Sequence, residues 1–100
     1  MLNEKGLRIF GLACKAGKAR VGTMITEQLI RGHQAKLVLI AADGSEKQKE
    51  KLIRLCHQYR TVYIEVSSKE ALGEMSGRDQ VLCAAVTDEN FKAGMINNTN

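Results

Sequence analysis

Apolar positions in this chain recur with two different periods, and the alternation between them outlines the elements. Leu7, Phe10 and Cys14 fall on one face of a helix that Asn3 caps and that runs to about Ala16, where Gly17 ends it. Ala19–Val21 is a short extended piece. Gly22-Thr23 then opens a helix with Ile25 and Leu29 on a shared face and Gly32 as its stop. Lys36–Ala41 predicts a strand apolar on both faces, as a sheet covered by helices requires. Asp43-Gly44 is a turn, and Ser45-Glu46-Lys47-Gln48 a capping box. The helix behind it carries Leu52, Leu55, Cys56 and Tyr59 as its apolar stripe. Val62–Val66 is the next strand. Ser67-Ser68-Lys69-Glu70 reads as a second capping box, opening a short helix that either Gly73 or Gly77 ends. Val81–Val86 predicts another buried strand, and Asp88 caps a last helix bearing Phe91 and Met95. Strands alternating with helices predict an α/β fold with helices on both faces of a small sheet.

Composition narrows the class. With 44% apolar and 26% charged residues, 100 residues suffice for one globular domain over 1–100, and no proline or Ser/Gly-rich linker marks a boundary within it. The longest apolar run, Leu37–Ala42, is about a third of a bilayer span, which predicts no membrane helix. Glu4, Arg8 and two glycines interrupt the N-terminal segment where a secretory signal would be apolar. Three cysteines, far apart in the chain, form no disulfide framework, so a cytoplasmic protein is expected. Charge is uneven. Residues 1–36 hold seven basic and two acidic side chains, whereas the remainder is close to neutral and the total is +4. A basic half suggests a polyanionic partner, nucleic acid above all.

Catalytic chemistry finds no support. Cys56 and His57 are adjacent on a helix and point about 100° apart, too far for a nucleophile–base hydrogen bond. Two histidines without ligand spacing predict no metal site. Gly11-Leu12-Ala13-Cys14-Lys15-Ala16-Gly17-Lys18 has one residue too many between its glycines for a phosphate loop, and it sits at a helix C-terminus whose dipole repels anions. No G-x-G-x-x-G occurs. We expect no enzyme and no cofactor.

The order of segments is more informative. Gly11-Leu12-Ala13-x-x-Ala16-Gly17-Lys18, then Gly22, then Ile30-Arg31-Gly32-x-x-Ala35-Lys36-Leu37-Val38-Leu39-Ile40-Ala41-x-Asp43 resembles the kink-turn RNA-binding ribosomal protein superfamily, of the archaeal "seven-Ae" and eukaryotic "thirty-e" type. Ser68-Lys69-x-x-Leu72-Gly73-x-x-x-Gly77 and Val86-Thr87-Asp88-x-x-Phe91 extend the likeness over nearly the whole chain, and the opening and ending are similar to the small bacterial YlxQ-like branch. The resemblance implies a three-layer α/β/α sandwich with a small mixed sheet of about four strands. It also implies a protein that docks on sharply bent RNA, with ribosomal or kink-turn RNA as partner, other ribosomal or RNA-binding proteins nearby, no membrane association and a monomeric state.

Carried over residue by residue, the site comprises Gly22, Thr23, Met24, Glu27 and Gln28 at the second helix, the cations Lys15, Lys18, Arg20, Arg31 and Lys36, and the loop Gly77, Arg78, Asp79 and Gln80 before the last strand. The backbone N–H groups at the start of the second helix suit phosphate or base acceptors. Archaeal and eukaryotic relatives follow the helix-opening glycine with Asn-Glu-x-x-Lys. Here Thr23 and Met24 align with the first two, and Glu27 or Gln28 with the lysine, in a segment one residue shorter before Gly32. An alternative on the same scaffold is a protein-interaction module with Met24, Ile25 and Met75 as exposed apolar anchors.

Overall fold

The computed structural model describes residues 1–100. Its elements keep the expected order: α1 (Glu4–Lys15), β1 (Ala19–Val21), α2 (Thr23–Arg31), β2 (Leu37–Ala41), α3 (Glu46–Gln58), β3 (Val62–Val66), α4 (Lys69–Ser76), β4 (Cys83–Val86) and α5 (Glu89–Ile96). The strands form one mixed sheet in the order β1-β4-β2-β3. β2 and β3 are parallel, joined through α3, whereas β4 runs antiparallel to both β1 and β2. β1 therefore forms one edge.

Strand pleating divides the interior into two cores, one on each face of the sheet. Leu37, Leu39, Ala41, Ala84 and Val86 meet Phe10 and Ala13 of α1, Leu72 of α4 and Met95 of α5. Val38, Ile40, Cys83 and Ala85 meet Leu29 and Ile30 of α2 and Leu52, Leu55 and Cys56 of α3. That is the expected three-layer sandwich, and it explains why β2 reads as apolar throughout: all five of its residues are buried.

Helix starts follow the caps read from the sequence, with one correction. Asn3 accepts from Gly6 N–H at 2.9 Å, Ser45 from Gln48 N–H at 3.2 Å and Asp88 from Phe91 N–H at 3.0 Å. At α4 the cap is Ser68, which accepts from Ala71 N–H at 3.0 Å, and not Ser67. Asp43, in the β2–α3 turn, fixes this frame by accepting from Lys69 N–H at the start of α4 at 2.9 Å.

Helix ends deviate more. α1 closes as expected on Gly17 (φ 72°), with Lys18 N–H donating to Ala13 O at 2.8 Å. α2 does not end on a left-handed Gly32. The left-handed residue is His33 (φ 56°), and Gln34 N–H donates to Leu29 O at 2.9 Å. α3 ends in the same way on Arg60 (φ 55°), with Thr61 N–H on Cys56 O at 2.8 Å. Gly77 (φ 75°) ends α4, leaving Gly73 inside the helix with the Arg78–Asp79 backbone packed on it. β4 begins at Cys83 instead of Val81, because Val81 N–H turns to Lys69 O at 3.0 Å.

Candidate nucleic-acid interface

Of the five helices, α2 alone opens without a side-chain cap. Gly22 takes φ 120°, ψ 150°, a conformation essentially reserved for glycine, and its N–H is spent on Cys83 O at 3.0 Å. The first helical bond is Thr26 N–H to Gly22 O at 3.1 Å, so the N–H groups of Thr23, Met24 and Ile25 have no partner in the chain. No acidic residue occupies this first turn, and Thr23 and Met24 are exposed, Met24 by 76%. Three free donors at the positive end of a helix dipole make an acceptor site for phosphate or a base edge.

The edge strand and the α4–β4 loop flank this start. A cleft of about 220 Å³ is lined by Cys14, Ala19, Arg20, Val21, Ser76 and Arg78, which brings β1 against the end of α4. Lys15 and Gly77 line the adjoining groove between α1 and α4. Arg78 N–H donates to Gly73 O at 2.8 Å, holding the exposed Arg78, Asp79 and Gln80 against α4. Arg20, Arg78 and Lys15 make no ion pair.

The remaining expected residues divide. Gln28 is exposed one turn beyond Met24, on the same helix face. Glu27 turns aside: its carboxylate takes Arg31 at 3.5 Å and Lys51 at 3.6 Å, with only 15% of its side chain exposed. Arg31 is thus engaged in the α2–α3 seam, where it lines a small cleft with Lys51 and Arg54. Lys51 carries no signal of this partnership in the sequence, because the contact lies between helices. Lys18 and Lys36 lie at the far end of the sheet. Lys36 N–H donates to Val86 O at 2.7 Å and Lys18 O accepts from Thr87 N–H at 2.9 Å, whereas Gly22 is anchored on Cys83. Three residues of β4 separate those anchors, roughly 10 Å. The basic surplus therefore does not gather around Gly22: Arg20 and Arg78 line the cleft beside Val21, and Lys15 the adjoining groove between α1 and α4. As apolar anchors, Ile25 and Met75 are half-buried against the two cores, which leaves Met24 alone exposed.

The thiols are core groups. Burial pushes Cys56 up to about 11, with Cys83 adding to it, and burial likewise raises Cys83 and Cys14. His57 is exposed and its ring lies against Tyr63, with centroids 6.1 Å apart, away from any thiol partnership. Cys83 Sγ donates weakly to Thr23 Oγ1 at 3.9 Å, tying β4 to the first turn of α2.

The chain is similar to several known proteins. The "RNA-binding protein YlxQ" of Bacillus subtilis (strain 168) is 34% identical over 88 residues, which are 88% of each chain. The protein of that name from Enterococcus faecium is 33% identical over 75 residues, covering 75% of this chain and 73% of that one. Among solved structures, a protein of unknown function from Bacillus halodurans C superposes with a TM-score of 0.89 at 24% identity, over 95% of this chain and 96% of that one. A Giardia lamblia 15.5kD RNA binding protein superposes with a TM-score of 0.77 at 19% identity, over 95% and 85% of the two chains, and shares the fold. Residues 5–96 match the pattern of one family throughout, and the chain belongs to that family, the ribosomal protein L7Ae/L30e/S12e/Gadd45 family.

Proposed function

We propose that this chain binds structured RNA, docking the open start of α2, the β1 edge and the α4–β4 loop onto a sharply bent internal loop of the kink-turn kind. The observation that carries this reading is the uncapped, glycine-led α2 start beside unpaired Arg20 and Arg78, in a family whose bacterial relatives are named RNA-binding proteins. The three free N–H groups receive phosphate or base-edge oxygens, Arg20, Arg78 and Lys15 hold the backbone, and Met24 lies against a base face. Gln28 is the side chain that can both donate and accept at a guanine edge. A-form grooves do not admit side chains well, so a splayed, kinked loop is the target this surface fits. The protein acts as a cytoplasmic monomer on ribosomal or kink-turn RNA, in the company of other ribosomal or RNA-binding proteins, and without catalysis.

Gel-shift titration at fixed salt tests this with a kink-turn RNA and the same RNA carrying Watson–Crick pairs in place of its G·A pairs. Wild-type protein prefers the kink-turn by more than about tenfold, equivalent to about 1.4 kcal/mol of base- and shape-specific contact. Gln28→Ala reduces that preference. Arg20→Ala and Arg78→Ala weaken both RNAs alike, each lowering the log–log salt slope by about 0.7–0.9. Arg31→Ala leaves both RNAs near wild type, because its guanidinium is held by Glu27. Wild-type affinities within about threefold of each other would remove the kink-turn specificity.

A further inference from the structure

The end of the sheet remote from Gly22 carries a second cationic surface. A cleft of about 210 Å³ is lined by His33, Lys36, Tyr59, Arg60, Glu89 and Lys92 among others, and a contiguous one of about 410 Å³ by His33, Gln34, Lys36 and Thr87. The one acid, Glu89, is paired with Lys92 at 3.9 Å, whereas Lys18, Lys36 and Arg60 make no ion pair. The His33 ring stands edge-on to Tyr59, with centroids 5.4 Å apart and planes at 66°. Both left-handed non-glycine residues of the chain, His33 and Arg60, are found here, at equivalent positions after α2 and α3. Glycine would occupy either position without strain, and strained side chains of this kind concentrate where a side chain is used. Lys18 links the two ends: Thr87 N–H and Oγ1 bind its carbonyl at 2.9 and 3.2 Å, and β1 continues from it along the open sheet edge to Arg20.

We propose that this end is a second RNA surface, which takes a single-stranded segment leaving the docked RNA along the β1 edge. The inference rests on the RNA-docking reading above. Unpaired cations track the phosphates, and the His33–Tyr59 pair offers an aromatic platform for a base, the combination that single-strand grooves use. Cations at helix C-termini also complement the helix dipole, and that purely structural role makes a different prediction.

The test uses the full chain and a fluorescently labelled kink-turn RNA, either blunt or extended at its 5′ or 3′ end by a single strand of about 8 nucleotides. Wild type binds one of the tailed RNAs about tenfold more tightly than the blunt one, the order expected of one stacked base with two or three added phosphate contacts. The variant Lys36→Gln/Arg60→Gly binds tailed and blunt RNA alike, at the wild-type blunt affinity. Arg60→Gly alone removes part of the gain while holding or raising the urea midpoint, since it relieves a left-handed non-glycine residue; this separates lost contact from lost fold. Equal wild-type binding of blunt and both tailed RNAs overturns the second surface and leaves the docking reading standing. An undiminished tail effect in the double variant overturns it too, and leaves only the dipole-complementing role. Failure of every RNA to bind overturns the docking reading, and this inference with it.

Discussion

Four glycines lie inside helices, and at two of them, Gly11 and Gly73, the structure assigns opposite signs to the same substitution. Gly11 and Gly73 occupy the interiors of α1 and α4, where alanine gains about 1 kcal/mol from helix propensity alone. At Gly11 an added Cβ meets Met75 O at 3.5 Å and Met75 Sδ at 3.6 Å, ordinary contact, so Gly11→Ala raises stability by about 0.5–1 kcal/mol. At Gly73 the same atom would fall 2.7 Å from Asp79 C and 2.8 Å from Arg78 O. These are backbone atoms and cannot rotate away. The loop has to retreat by several tenths of an ångström, straining its bonds from Arg78 N–H to Gly73 O and from Val81 N–H to Lys69 O. Overpacking costs about 1–3 kcal/mol and one weakened hydrogen bond about 1 more, so Gly73→Ala is destabilised by about 1–3 kcal/mol net of the propensity gain. Urea unfolding of the two variants and wild type measures both shifts. Gel shifts at equal folded fraction then register the displaced Arg78 as a several-fold loss of RNA affinity in Gly73→Ala alone. If Gly73→Ala proves as stabilising as Gly11→Ala, the close approach of the α4–β4 loop is wrong, and with it the placement of Arg78 beside β1.

Two further outcomes concern the fold. Ser68→Ala lowers stability by about 1 kcal/mol in thermal or urea unfolding, whereas Ser67→Ala stays near wild type; the reverse order would place the α4 cap one residue earlier. Burial raises the Cys56 thiol from 9.0 to about 11, so its contribution to stability is complete below pH 9 and is lost as pH rises to about 11. Urea unfolding from pH 8 to pH 11 shows wild type falling by about 2–3 kcal/mol more than Cys56→Ala over that window, and parallel curves would refute it.

Much of this fold is legible because each local signal agrees with the packing it serves. The unbroken Leu37–Ala41 run has to be covered on both faces, and Asn3, Ser45 and Asp88 cap the helices that cover it. The misreadings arise where one sequence signal fits two geometries. Ser67 and Ser68 are equivalent as letters, and only Asp43, 26 residues away from Lys69, selects between them. Gly73 and Gly77 could each be a left-handed stop or a close approach, and the returning loop decides. His33 and Arg60 announce nothing, because neither is the glycine or asparagine that usually marks a left-handed helix stop.

At the site, the helix start at Gly22-Thr23 with its N–H groups was legible and the electrostatics were not. A linear charge count gives Arg31, Lys18 and Arg20 equal weight, yet their surroundings differ. Arg31 already has Glu27, and RNA recruiting it would have to break that pair and leave the mostly buried carboxylate to Lys51 alone. An exposed pair is worth about 0–1 kcal/mol, enough to offset much of what a phosphate contact to that guanidinium would return. Arg20 and Arg78 would forfeit no partner on meeting phosphate, and they line the cleft beside Val21, the strand residue that precedes Gly22 and the α2 start. Lys18 is equally free, but the extended β1 carries it to the other end of the sheet. In the proposed docking, three-dimensional connectivity, more than charge number, therefore separates the cations placed to meet a compact bent RNA from those that only a strand running along the edge would reach.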